Sequence, residues 1–384
     1  MKILHFTYDD TKNPWCGGGG AYRVKIVNEY LGLTNRITVV TGNYPGAKDE
    51  TVQSVTYRHI GLRSPYLLSR ISFTILAPFY VKEPYDLLVN DFSAYSPFFA
   101  DLRTKKPVID IVHHLVQKHA ARIYPIVGYL PFLFEKLLLK TTHNIITPSQ
   151  AIREKIKGSY ANKNVIDIPN GVSEELFRLV PEERDFILFL GRIDAYMKGL
   201  DILIEAFSKI HNRGVSLKIA GSGKERDARR IRSLIGEYGL EGRMELLGRV
   251  SEREKLELLK NCLFLVMPSR FEGWGITAVE ANAACKPVLA TAIPGLSEAV
   301  LDRKTAVLVQ PEDADSLSAG IDFLVEDGHM RRSLGEAGRE WARKFSWKAI
   351  AARQLDFYRA VLAGKIRLGM NTGDKKAGQE ARLL

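Results

Sequence analysis

Short apolar runs alternate with longer segments of helical periodicity over nearly the whole chain. In the first half, residues 3–7, 37–41, 86–90, 108–112, 144–147 and 165–168 read as strands. In the second, residues 186–190, 216–220, 244–247, 263–267, 288–290 and 306–309 do so. Continuous apolar strands separated by helix-length segments predict α/β architecture, with parallel sheets covered on both faces. The turn signal Pro169-Asn170-Gly171-Val172 separates the two series. The charged stretch 181–185 leads into the second, so 169–185 reads as a linker. Residues 1–169 and 170–345 are thus expected to form two doubly wound, Rossmann-like domains. An amphipathic helix is expected over 346–363 and a disordered tail over 364–384, which is rich in Lys, Gly and polar residues. No repeat of solenoid period is visible.

Composition adds bounds. The 384 residues are 46% hydrophobic and 26% charged, as in an ordinary soluble globular protein. No stretch of about 18 uninterrupted apolar residues appears, so no membrane span is expected. The longest apolar segment, 123–139, is broken by Pro125, Pro131 and Glu135, so a core helix is the reading there. Residues 1–7 read as a strand and not as a signal peptide. Cys16, Cys262 and Cys285 are an odd number without metal-ligand spacing. Cys262 and Cys285 read as buried thiols, and a reducing cytoplasm is the expected setting. The net charge of +11 is uneven: residues 1–169 carry 21 Lys and Arg against 13 Asp and Glu. That excess, beside the apolar-aromatic segments 66–80 and 124–139, makes an anionic membrane face a candidate partner. A solvated basic surface over core helices is the competing reading. No recognition helix, RNP-like strand or basic-aromatic platform favours nucleic acid.

The chemistry concentrates after the strand ends. Ser269-Arg-Phe-Glu272-Gly273-Trp274-Gly275-Ile276 and Thr277-Ala-Val-Glu280-Ala281 set two glutamates eight residues apart. The first stands in the loop after strand 263–267, and the second is expected about two turns into the next helix. The carboxyl ends of parallel strands are where ligands bind in open α/β sheets, and a helix N-terminus there suits an anion. After strand 186–190 comes Gly191-Arg192, followed by Lys198-Gly199, two cations able to converge on one point. Gly17-Gly18-Gly19-Gly20 follows the first strand, and the strand at 108–112 ends in His113-His114. A glycine run lets backbone N–H groups approach a phosphate or sugar closely, but neither a Walker loop nor Gly-x-Gly-x-x-Gly is present. Ala220-Gly221-Ser222-Gly223 opens another helix. Asp313-Ala-Asp315 follows Gln310-Pro311 and reads as a helix cap in place of a metal motif.

Together these motifs resemble the retaining glycosyltransferases of family 4, two-domain enzymes of the GT-B fold. The resemblance spans nearly the whole chain and is densest from Asn170 to Glu298. It implies two domains facing across a cleft, with the closing helix crossing back to the first. It also implies transfer from a nucleotide-diphosphate sugar to an acceptor hydroxyl without a metal or other cofactor. Glu272 would then bond donor-sugar hydroxyls, Glu280 the ribose, and the amides of Gly273, Trp274, Gly275 and Ile276 sugar and phosphate. Arg192 and Lys198 would clamp the diphosphate, with Gly191, Gly221 and Gly223 nearby. Val250 would meet the base through its backbone. Gly19 and Gly20 would line the cleft, and His113 would reach the sugar. The acceptor is expected to be a glycan, a glycolipid or a small molecule, as in polysaccharide biosynthesis. A sugar-nucleotide epimerase of the same fold, a phosphorylase or synthase, and a non-catalytic basic binding protein are the alternatives.

Overall fold

The computed structural model describes residues 1–15, 19–82, 84–92, 100, 103–115 and 129–364, with side chains at 129–131 excepted. Cys16, Gly17, Gly18, His119, residues 123–128 of segment 123–139 and the tail from 365 lie outside these residues. The chain divides into two units: 1–147 with 152–168 and 351–384, and 148–151 with 169–350.

In the first unit, β1 (Lys2–Phe6), β2 (Arg36–Gly42), β3 (Glu50–Val52), β4 (Val55–Ile60), β5 (Leu87–Phe92), β6 (Val108–Val112), β7 (Asn144–Thr147) and β8 (Asn164–Asp167) form one sheet. Its order is β3-β4-β2-β1-β5-β6-β7-β8. Only β3 pairs antiparallel, with β4, at the sheet's edge. Sequence order reverses between β1 and β5, so the loops beyond these strands diverge and leave a crevice. β5 is buried throughout, as a strand covered on both faces must be. The edge strand β3 and its neighbour β4 were not expected. Val-Thr-Tyr-Arg-His-Ile is only half apolar and buries little beyond its two ends.

In the second unit, β9 (Phe186–Leu190), β10 (Ser216–Ala220), β11 (Met244–Gly248), β12 (Leu265–Met267), β13 (Val288–Thr291) and β14 (Ala306–Val309) give the order β11-β10-β9-β12-β13-β14. All pairs are parallel. The switch point lies between β9 and β12. One core face gathers Phe189, Leu203, Phe207 and Leu217, the other Leu188, Leu265, Val279 and Ala290.

Several expectations need correction. Residues 169–185 are a packed part of the second unit: Val172 and Leu176 are buried in its core, and the Glu182 N–H donates to Lys260 O at 2.9 Å. The helix Ile276–Ala283 begins late, after left-handed Gly275, so Glu280 sits just over one turn in. Cys285 is half-buried in a left-handed turn, while Cys262 is buried and its thiol is pushed up to about 12 by desolvation. The helix cap read at Asp313, by contrast, is as expected: Asp313 caps the helix Ala314–Glu326, accepting from the N–H groups of Asp315 and Ser316 at 3.0 and 2.9 Å.

The helix Trp347–Leu362 begins in the second unit, where Gly171 packs on the Trp347 ring. From Ala351 it belongs to the first. There Arg23 donates to Gln354 Oε1 at 2.8 Å, and Gln354 to the Tyr358 hydroxyl at 2.7 Å. Among the described residues no helix is long and apolar enough to cross a membrane.

Candidate active site

In the second unit, the loops beyond β9 and β12 flank the switch point and carry the two groups that meet. The Lys198 ammonium donates to Glu272 Oε1, and the Ser269 hydroxyl donates to the same oxygen at 3.0 Å. Lys198 and Glu272 are mostly shielded, at 17% and 13% side-chain exposure. Their attraction therefore acts in a medium less polarisable than bulk water, and is stronger for it. The pairing follows from how the loops are held. Left-handed Gly199 lies so close to the loop after β12 that a Cβ there would stand 2.0 Å from Pro268 O. No other residue fits without moving one loop.

A second clip holds the same two loops. Arg270 donates to both carboxylate oxygens of Asp201, at 2.7 and 3.0 Å, and to Glu312 Oε1 at 2.7 Å. Its guanidinium also donates to Tyr196 O at 2.6 Å and stacks on the Tyr196 ring, 4.3 Å from the centroid. Burial alone would lower its pKa, but bonds to Asp201 and Glu312 outweigh that and raise it. Arg270 is a positioning residue that the sequence motif did not reveal. Arg270→Lys keeps one charge but loses the planar two-pronged bond. It is expected to lower kcat about tenfold while donor KM changes less, with thermal unfolding still cooperative. An unchanged kcat would show that the clip does not place Lys198.

Arg192 is placed differently. Its side chain is 66% exposed and lies 3.8 Å from Asp194, so it does not share the carboxylate that Lys198 binds. Glu280 is buried and accepts from Lys255 Nζ at 3.0 Å. Desolvation would lower the Lys255 pKa, yet the charges of Glu280 and Glu252 raise it. Lys255 was invisible in the sequence because Glu252-Arg-Glu-Lys255 looks like any solvated helix face.

The glycines sort by role. Gly191 and Gly221 touch: the Gly191 N–H donates to Ala220 O at 3.0 Å, and a Cβ on Gly221 (φ 149°) would lie 1.7 Å from Gly191 O. Gly223 bridges to Ile193. Gly273 lies in the loop after β12, and Gly275 ends it. Trp274 is buried against Phe345, with ring centroids 5.0 Å apart, so its side chain is committed to the core. Ile276 opens the helix, and Val250 packs beside the second core face.

In the first unit, Gly19 and Gly20 form the opening of the helix Gly19–Gly32, not an extended loop. A Cβ on Gly20 would rest 3.7 Å from the His113 ring, so these two predicted residues are neighbours. His113 Nε2 lies 2.9 Å from Asp91 Oδ1 and His5 Nε2 lies 3.3 Å from Asp91 Oδ2. Desolvation of Asp91 is outweighed by the charge and bond of His113 and by His5, and its pKa falls well below the usual carboxylate range. An ionised carboxylate only accepts, so His113 Nε2 carries the proton that faces Asp91. Asn28 Nδ2, 3.0 Å from His5 Nδ1, completes the buried chain. Desolvation pushes the neighbouring Arg23 guanidinium down to about 10, against the pull of Asp91. Asp91 and His5 were not among the predicted residues, although a carboxylate in so apolar a strand as β5 was a usable signal.

The family model described as Glycosyl transferases group 1 matches residues 174–341, and that described as Glycosyltransferase Family 4 matches 16–176. An uncharacterized glycosyltransferase of Methanocaldococcus jannaschii is 36% identical over 216 residues, covering 56% of this chain and 59% of that protein. Phosphatidyl-myo-inositol mannosyltransferase of Mycolicibacterium smegmatis is 28% identical over 228 residues, covering 56% and 58%. The chain thus spans little more than half the length of these curated relatives. Among solved structures, sucrose-phosphate synthase of Thermosynechococcus elongatus superposes with a TM-score of 0.81 at 22% identity, covering 94% of this chain and 99% of that one. Anabaena HepE in complex with UDP-glucose gives 0.75 at 16% identity, covering 94% and 100%.

Proposed function

We propose that this chain, which belongs to glycosyltransferase family 4 and has the GT-B fold, moves a sugar from a nucleotide-diphosphate donor to an acceptor hydroxyl. The configuration at the sugar carbon is retained and no metal takes part. The observation that carries this reading is the Lys198–Glu272 pair at the β9/β12 switch point. It sets a cation and a hydroxyl-binding carboxylate side by side, as a leaving diphosphate and its sugar require.

Bond breaking moves negative charge onto the phosphate oxygens. Lys198, with Arg192 reaching in from its exposed position, stabilises that charge more than it stabilises the bound donor. The two cations supply the charge a divalent ion would otherwise bring. Glu272, accepting from sugar hydroxyls, fixes the ring, and Glu280 accepts from the ribose. His113, its Nε2 held by Asp91, suits a further sugar hydroxyl. The acceptor hydroxyl attacks on the face from which the phosphate leaves, and a phosphate oxygen takes its proton. The UDP-glucose in the HepE structure supports the donor class. The name of the mycobacterial mannosyltransferase supports a lipid-linked acceptor. The acceptor in this reading is a cell-surface glycan or lipid-linked molecule, met at the inner face of the membrane.

The test is a thermal-shift and donor-hydrolysis panel with UDP-, GDP- and ADP-sugars in EDTA. One nucleotide class is expected to raise the melting temperature and to release sugar slowly. No shift with any of them would overturn the reading.

A further inference from the structure

We propose that the outward face of the helix Tyr66–Leu76 and the 3-10 turn Ala77–Lys82 docks this chain onto an anionic bilayer. The inference deepens the membrane part of the proposed function and rests on it, but not on the transfer chemistry. The helix is apolar on two opposite faces. Phe73 and Ala77 are fully buried, with Ser69 and Arg70 beside them, and they form the inward face. Leu67, Leu68, Ile71 and Ile75 project from the other side at 41–60% exposure, and Leu76 and Phe79 extend the patch at 43% and 51%. At 100° per residue, positions 67, 68, 71 and 75 centre on the side facing away from 69, 70, 73 and 77. A surface helix of a soluble protein normally turns polar residues outward. A contiguous apolar patch of this extent marks an interaction surface.

Charge selects the occupant. Residues 51–82 contain four Lys and Arg and no Asp or Glu. Arg70 is turned inward, stacked 4.6 Å from the Tyr8 ring centroid, while Arg58, Arg63 and Lys82 are exposed. Glu50 and Glu83 bound this window and Asp9 lies 3.7 Å from Arg70, but the exposed charge beside the face is net cationic, which matches acyl chains beneath anionic headgroups. It does not match a second copy of the same face, because the two surrounds would repel.

Flotation with phosphatidylglycerol and with phosphatidylcholine vesicles, at low and high salt, tests the proposal on the full chain. Phosphatidylglycerol vesicles are expected to carry the protein at low salt, and phosphatidylcholine far less. Combined Leu67→Ser, Ile71→Ser and Ile75→Ser should cut binding at least about tenfold, with the melting temperature kept because these side chains are exposed. Lys82→Glu should weaken it at least about fivefold. No flotation at low salt, or unaltered flotation of the triple variant, would overturn the proposal. So would light scattering that shows a dimer dissolved by the triple substitution without any flotation. Nucleotide-sugar thermal shifts run on the same samples separate the two readings. Flotation without a shift sinks only the transfer chemistry, and a shift without flotation only the docking face.

Discussion

Lys198→Ala is expected to lower kcat by about a hundredfold to a thousandfold, the largest loss of any single substitution in this protein. At about 4 Å and an effective dielectric of about 20, a cation beside a developing phosphate charge contributes roughly 4 kcal/mol before desolvation. Removing one preorganised donor of this kind from other active sites costs about 10² to 10³ in rate. Geometry adds to the loss here. Without the ammonium, Glu272 keeps only the Ser269 hydroxyl among the partners described above, and its charge stands uncompensated near the departing diphosphate. Affinity for the intact sugar-nucleotide donor should fall less than kcat, because the ground state carries less charge on the bridging oxygen. Lys198→Arg should recover part of the rate but not all, since the planar guanidinium does not reproduce a point charge held by two loops. Steady-state donor hydrolysis beside calorimetric titration with the intact donor checks this. A kcat within tenfold of the parent would remove Lys198 from the phosphate.

How much of this was legible in the chain depended on whether one segment held all the information. Phe186–Leu190 was read from its apolar run alone because this strand is buried in the middle of a covered sheet. Val55–Ile60 was missed because this strand, half-buried between its two ends, has no such run. Glu272 and Lys198 were each identified, but their direct bond was not, because it joins loops brought together only by β9 pairing with β12. The same limit hid Arg270, whose carboxylate partners lie 69 and 42 residues away. It also hid the His5–Asp91–His113 chain, which needs three strands side by side. The Gly19–Gly20 pair was found for its lack of side chains, yet its place is a helix start against His113. Local pattern thus located the chemistry. The partners that orient it came from topology.

Glu272→Ala separates positioning from charge neutralisation, because it removes the carboxylate that holds Lys198 while leaving the cation. Turnover is expected to fall about a hundredfold or more, since the donor sugar loses the acceptor that orients its hydroxyls and near-attack geometry is lost with it. Nucleotide affinity should be kept or should tighten. The Lys198 ammonium, no longer shared with Glu272, is released to the diphosphate. Glu272→Gln should fall between, because its amide oxygen still accepts from a hydroxyl but binds the ammonium less strongly. The contrast with Lys198→Ala is the decisive part. One substitution loses rate with nucleotide affinity intact, the other loses both, and in neither does EDTA alter the result. Equal losses of turnover and nucleotide affinity in Glu272→Ala would mean that Glu272 supports the nucleotide site as a whole. The ion pair would then be a structural strut between the β9 and β12 loops, and the sugar-positioning role would pass to another residue.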